Sequence, residues 1–508
     1  MSEKKDYLYW LFAGFLLFVS CSDSVRDAQP VGAQPAIYPD YVGVTIPVNI
    51  APLNFSLTDP SVLKIDAVVT APNGKSLHGQ GEESTGFGLD EWRELVASAA
   101  GDSLTVSVSA KYAEGWRSYD PFSIYVSTDS IDYGITYRLI EPGYEVWSKM
   151  GIYERNLSCY DQRALIENTQ FEGCVNCHST SRANPGDMTL HVRGKHGATL
   201  LQLDGKLQAY DTKTPLTAGN CVYPYWHPEG RYLAYSTNAT QQSFHTVDAK
   251  RVEVFDSSSD LQIYDKQTNE LLVSPLVKRD SVMETFPVFS ADGRTLYFCA
   301  ATQPKPEQID LKEIRYNLCR IAFDPTTGTF GDRIDTLICA EAEGKSISFP
   351  RPSYDGRFLC FTLADYGQFS IWHKEADLYM LDLQRGALPS TSLSGLLETG
   401  FVWPLTSANS PDTESFHNWS GNSRWMVFSS RRDDGWFTRP YFTHINERGE
   451  ATKPFMLPQE SPKDYYESFF MSYNVPEFIS VPSAFDGHHA ADLVNGDERA
   501  KMGAREVK

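Results

Sequence analysis

One unit recurs through the second half of the chain and limits what it can fold into. Tyr223-Pro-Tyr-Trp-His-Pro-Glu-Gly230-Arg returns as Phe286-Pro-Val-Phe-Ser-Ala-Asp-Gly293-Arg and as Phe349-Pro-Arg-Pro-Ser-Tyr-Asp-Gly356-Arg. A degenerate copy runs from Phe416 to Ser423, and a partial one begins at Phe469. Each full copy reads as a strand, an Asp-Gly-like turn and a second strand. Outer-strand candidates follow at Asp260–Tyr264, Leu318–Ala322, Asp377–Asp382 and Pro440–His444. Four strands per unit, repeated radially, make a β-propeller. The count predicts five blades over residues 199–486, with six as the alternative. Closure is expected where Leu200–Leu203 and Lys206–Tyr210 join the strand that starts near Phe469, because a ring leaves no free sheet edge.

Ahead of the repeats stands Cys174-Val-Asn-Cys177-His178. C-x-x-C-H is the pattern on which c-type haem is attached. Two thiols three positions apart can add to the two vinyl groups of one porphyrin edge, and the adjacent histidine then serves as proximal ligand. The expected cofactor is one covalent haem c on Cys174, Cys177 and His178. Met188 is the candidate for the second axial position, with His191 or His196 as alternatives. A Met/His pair would raise the potential and a His/His pair would lower it. Two other readings stay open: a local disulfide, or a zinc site from Cys159, Cys174, Cys177 and His178.

Residues 1–20 read as an export signal, with Lys4 and Lys5 before the apolar run Leu8–Val19. Phe18-Val-Ser-Cys21 resembles a bacterial lipobox, which implies acylation at Cys21. Ser22 after the cysteine resembles sorting to an outer membrane. Residues 21–36 then form a tether. The expected place is extracytoplasmic, held to the outer membrane by lipid, where disulfides persist and haem can be attached. A formal charge of −20 argues against a nucleic-acid partner, which needs a concentrated basic face.

The remaining segments are all-β in pattern. Residues 37–130 alternate with period two at Val42–Ile46, Leu63–Val69, Ser103–Ala110 and Phe122–Val126, interrupted by helical spacing over Asp90–Ala99. This predicts a small β-sandwich. Residues 131–198 read as a junction carrying the C-x-x-C-H motif, and 487–508 as a disordered polar tail.

The aromatic-x-x-x-[Ser/His]-x-Asp-Gly-Arg unit resembles the blade signature of TolB-type propellers. Tyr38-Pro-Asp-Tyr, Ile50–Phe55, Trp147–Tyr153, Cys174–Ser179 and Met188–Gly194 resemble a family of bacterial lipoproteins that couple such a propeller to one C-x-x-C-H, often labelled cytochrome c-related. The resemblance implies a lipid-anchored envelope protein with a redox or envelope-protein partner. TolB itself works by binding other envelope components.

Other residues carry weaker signals. Glu284 and Glu414 stand two residues before a repeat aromatic and Glu467 two before Phe469, a phase that would place three carboxylates near the axis or in loop caps. Cys319 and Cys339 are candidates for pairing. No G-x-S-x-G, P-loop or H-E-x-x-H occurs, so a hydrolase or nucleotide enzyme has no motif behind it. Three functions remain: a monohaem electron-transfer or redox-sensing lipoprotein, a propeller binding module in which the cysteines clasp the junction, and a propeller enzyme acting at the axis.

Overall fold

The computed structural model describes residues 25–143, 148–305, 310–496 and 498–508. The export signal and Cys21 lie outside the described residues. Six four-stranded antiparallel sheets form a six-bladed propeller. From the axis outward, blade I is Cys174–Ser181, Asn184–Arg193, Ala198–Leu203 and Lys206–Asp211. Blade II begins at Cys221–Trp226, blade III at Val282–Phe289, blade IV at Ser346–Pro352 and blade V at Glu414–Trp419. Blade VI closes the ring: its inner strand is Ser472–Ile479, paired with Gly134–Ile140, then Met150–Asn156 and Gln162–Glu167.

Closure therefore differs from the expected one. Leu200–Tyr210 belongs to blade I, whose inner strand is the C-x-x-C-H segment itself. The strands that complete the last blade come from residues 134–167. Residues 131–198 thus hold five propeller strands, three of blade VI and two of blade I, rather than a junction, and the count is six rather than five. Periodicity missed them because neither segment carries the aromatic and Asp-Gly-Arg signature.

That signature has a local cause. Ser290, Ser353 and Ser420 each accept a hydrogen bond through Oγ from the N–H of the residue that starts the next strand (Thr295, 3.0 Å; Phe358, 3.0 Å; Trp425, 2.9 Å). Asp292, Asp355 and Asn422 cap the N–H of the arginine two residues on. Gly293 and Gly356 take φ near +70° between them, a region that costs glycine nothing.

The tail is ordered. Gly487–Asn495 is a helix N-capped by Asp486. Ala500–Lys501 and Gly503–Glu506 then add parallel strands to the outer edges of blades I and II. Its last carbonyl, on Lys508, accepts from Phe330 N–H in blade III. Covering exposed edges is the physical gain that its polar composition hid.

The N-terminal region holds a seven-stranded mixed sheet centred on Lys64–Thr70 and Ser103–Tyr112, beside a two-stranded ribbon, Ile37–Tyr38 with Ser56–Leu57. Trp92, Leu95 and Val96 of the helix Leu89–Ser98 and Trp425, Phe442 and Tyr473 of blades V and VI share its core. A helix and the propeller cover this sheet, where a sandwich would have used a second large sheet.

Candidate functional site

Each inner strand breaks its pairing register at one residue with φ near +50°. These are Cys177, Tyr223, Phe286, Phe349, Phe416 and Val475, with φ between +50° and +54°. Such bulges kink the strand and re-aim its side chains. At blades II to V the residue is aromatic, and neighbouring rings pack edge or tilted with centroids 4.3–4.8 Å apart. Blade I puts Cys177 in this position. The next residue is proline in blades II, III, IV and VI (Pro224, Pro287, Pro350, Pro476) and histidine in blades I and V (His178, His417). The C-x-x-C-H motif thus occupies the bulge of blade I, whose inner strand has neither the aromatic nor the proline and precedes all the recognisable repeats.

The bulges surround a cavity of about 160 Å3 at one mouth of the channel. Cys174, Asn176, Cys177 and His178 line it together. Opposite stand Phe349, Phe369, Trp372 and Phe416, and the long hairpin of blade II (Tyr232–Phe244 with Val252–Asp265) contributes Phe244, Val252 and Val254.

The motif side chains differ in environment. Cys174 is buried and Cys177 half-buried, and both are free thiols. Burial pushes the Cys174 thiol up, against the Asn176 amide, 3.1 Å from its Sγ, and the guanidiniums of Arg193 and Arg138. His178 is buried, and burial, helped by Arg138, pulls its pKa down to about 3. Its ring donates to the carbonyl of Thr136, while Nε2 is buried with no hydrogen-bond partner among the described residues. A neutral imidazole fixed through one nitrogen, with a bare lone pair on the other, is the state a metal-ligating histidine adopts. An orphaned buried acceptor otherwise carries a desolvation cost of about 1–3 kcal/mol.

The expected distal ligands are elsewhere. Met188 is fully buried in the core shared by blades I and VI, and it does not line the cavity. His191 is buried beside Thr199, its Nδ1 3.1 Å from Oγ1, also off the cavity. His196 lies in the turn after Arg193, also away from the lining. Met188 sits ten residues beyond His178, but the tight Ser181–Asn184 hairpin returns the chain as a neighbouring strand and pairs Met188 with Thr180. The methionine at the cavity wall, among the described residues, is Met150. A zinc clasp finds no site: no group of three or more His, Cys, Asp or Glu side chains suited to a metal occurs among the described residues.

The three phased glutamates do not gather at the axis. Glu284 is buried against Arg279 (2.8 Å) and Glu414 against Arg432 (2.8 Å), both with pKa raised by burial to about 7. Glu467 lies in the helix Pro462–Ser468. Cys319 and Cys339 are both free.

Two features of the site had no sequence signal. Four arginines line the cavity, Arg138, Arg193, Arg351 and Arg431, from four separate parts of the chain. Glu477, two residues after the blade VI bulge, is buried with its pKa pushed up to about 7, and its Oε2 accepts from Thr180 N–H at 2.9 Å. It ties the closing strand to the motif strand.

No protein-family model and no curated protein matches the chain. Among solved structures, prolyl oligopeptidase B from Galerina marginata is 9% identical over 68% of this chain and 42% of its own, with a TM-score of 0.35. Dipeptidyl peptidase 4 from Porphyromonas gingivalis is 10% identical over 62% and 46%, at 0.31. A DUF4784 family protein from Bacteroides caccae is 7% identical over 70% and 97%, at 0.25. The chain spans less than half the length of the two peptidases. Scores this low leave the function to rest on the chain's own geometry.

Proposed function

We propose that this chain is an exported, lipid-anchored propeller that carries one covalent c-type haem in the mouth of its channel and uses it to transfer or sense electrons at the outer membrane. The observation that carries the reading is the buried, partnerless Nε2 of His178 beside two free thiols on one cavity wall. When bound, the haem would supply one-electron redox chemistry. Cys174 and Cys177 would hold it as thioethers, and His178, oriented by the Thr136 carbonyl, would be its proximal ligand. Phe349, Phe369, Trp372 and Phe416 would pack against an apolar ring and exclude water from it. Cys21 would be the acylated N-terminal residue, and the partner a redox or envelope protein.

Expression in a host competent in haem attachment should give a haem-staining band on a denaturing gel, lost in Cys174→Ala/Cys177→Ala. Reduced protein should show an absorption band near about 550 nm, as thioether-linked haem does. Protein from such a host that never stains overturns the haem reading and leaves a TolB-like binding module, in which the same cavity takes a different ligand. Anchoring is checked apart from haem: mass spectrometry should find acylated Cys21 and no peptide from residues 1–20.

A further inference from the structure

Two of the arginines at the cavity stand near one another without a counter-charge. Arg138 comes from the second strand of blade VI, and Arg193 ends the second strand of blade I, where its Cα partner is Cys174. A chain of contacts joins them: Arg138 Nη1 donates to Asn176 Oδ1, and Asn176 Nδ2 donates to Cys174 Sγ at 3.1 Å. Burial pulls the Arg138 pKa down, and the like charge of Arg193 adds to that. Arg138 Nε is buried with no hydrogen-bond partner, and the Arg193 guanidinium makes no hydrogen bond or ion pair among the described residues. Two guanidiniums drawn out of water together are costly unless an anion joins them.

The described residues supply none. Glu141 and Glu477 line the same cavity, but neither lies within ion-pair distance of Arg138 or Arg193, and Glu477 faces Arg351 and Thr180 instead. Asp256, outside the lining, feels the Arg193 charge, yet burial pushes its pKa up on balance. Its oxygens are already taken: Asn238 (2.5 Å) and Gln368 (2.6 Å) donate to Oδ2, and Thr240 (2.9 Å) to Oδ1.

A third donor meets the pair from blade II. Tyr223 lines the cavity, and the charges of Arg193 and Arg138 both act on its hydroxyl. Burial keeps that phenol protonated, and it has no hydrogen-bond partner among the described residues. The bulge residue of blades III, IV and V is phenylalanine, so the packing of these rings asks for no hydroxyl. Blades VI, I and II thus bring two cations and a free O–H to one part of the wall. Elsewhere the wall is apolar, with Phe349, Phe369, Trp372 and Phe416.

A volume of about 160 Å3 bounds the ligand, being close to that of a cavity of about 150 Å3 that takes one benzene. An inorganic oxyanion would leave the rings facing an ion, whereas a carboxylate on a compact hydrocarbon suits both parts of the wall. We infer that Arg138, Arg193 and Tyr223 bind the carboxylate of a small apolar acid, in the chain whose thiols are free. The site does not rest on the haem reading, which uses Cys174, Cys177 and the Nε2 of His178.

The test is isothermal titration calorimetry of the full chain from a host that attaches no haem. Benzoate and hexanoate are the acids, and benzyl alcohol and hexan-1-ol their neutral counterparts. At least one acid should bind about tenfold more tightly than its alcohol, because its hydrogen bonds are charge-assisted. Tyr223→Phe, which installs the ring that blades III to V already carry, and Arg193→Gln should each weaken the acid about three- to tenfold and leave the alcohol unchanged. Arg193→Lys should recover part of the loss. Equal binding of acid and alcohol by the parent overturns the site without reliance on any variant. So does failure of both acids to bind at about 10 mM. Unchanged acid affinity in the Tyr223→Phe and Arg193→Gln proteins, each folded by its near-UV spectrum, overturns it as well. Inorganic phosphate that displaces the acid at equal concentration shows a simple oxyanion site and overturns the apolar-acid class.

Discussion

Cys177 in blade I and Tyr223 in blade II hold the same backbone position, each at the bulge of an inner strand, with φ of +52° and +50°. The fold therefore asks for a residue at this kink whose side chain faces the channel, and in blade I a thiol answers in place of a ring. Cys177→Tyr should restore the aromatic ring of the other blades. The expected result is a folded propeller with stability within about 1 kcal/mol of the parent, since the position faces an open cavity, and complete loss of covalent haem. Urea unfolding and haem staining of the same preparation check both halves.

His178 and His417 sit where the other four blades have proline. His178→Pro and His417→Pro should each fold, because the backbone already accepts proline there, and each should gain about 0.4–1 kcal/mol from a less free unfolded chain. If the proposed haem is bound, His178→Pro should abolish its proximal ligation and the spectrum that goes with it. His417→Pro should leave the spectrum unchanged. His417→Pro should also improve acid stability. Burial holds the His417 pKa at about 3, so the unfolded state binds more protons between about 3 and 6.5 and stability falls as pH drops through that window. Thermal melts at pH 4 and 7 test this.

Glu477 has the opposite sign. Its folded pKa of about 7 lies above the unfolded carboxyl value, so the fold binds the extra proton and the contribution is lost as pH rises from about 4.5 to 7. Glu477→Gln should flatten the stability profile over that range, by up to about 3 kcal/mol between pH 5 and 8. Urea midpoints of the two proteins at both pH values give the comparison, and parallel profiles would contradict it.

The blade II hairpin that roofs the cavity is clamped to the loop after the second strand of blade IV. Glu253 accepts from Tyr366 Oη (2.6 Å) and pairs with His373 Nε2 (3.2 Å); Glu375 lies 3.5 Å from His373 Nδ1, and Lys250 reaches both Tyr366 and Glu375. Burial lowers the His373 pKa and Lys250 opposes its charge, but the two glutamates outweigh them and the net shift is upward. The clamp should hold fully below about pH 6.5 and weaken as pH rises through the raised His373 value. Limited proteolysis at Lys250 and Arg251 should accelerate with pH, and His373→Gln should cut at the fast rate at every pH.

Closure by the last inner strand makes the two ends of the propeller unequal. Deleting residues 472–508 strips Gly134–Ile140 of its inner-strand partner, leaving an unpaired edge at the channel, and should yield aggregated protein. Deleting 498–508 removes only edge strands and the buried Met502 and Val507, and should lower the melting temperature by several degrees with the fold retained. Scanning calorimetry of the second deletion, beside the soluble yield of both, distinguishes them.

By itself the sequence determined that the chain is a propeller, because blades II to V each carry an aromatic bulge and a side-chain-capped turn whose residues are adjacent in the chain. It also determined that Cys174, Cys177 and His178 stand close together, since five consecutive residues need no fold to be neighbours. Blades I and VI were hidden, as Cys177-His178 and Val475-Pro476 replace the aromatic-proline pair and the turns lack Asp-Gly. Only the tertiary structure decided that the motif lies on an inner strand, and so in the channel. It alone turned Met188 and His191 away from the cavity, by pairing Asn184–Arg193 behind the motif strand. It alone brought Arg138, Arg193, Arg351 and Arg431 to one mouth. Those arginines come from separate strands and loops, and radial closure of a ring makes them neighbours in a way that no spacing along the chain records.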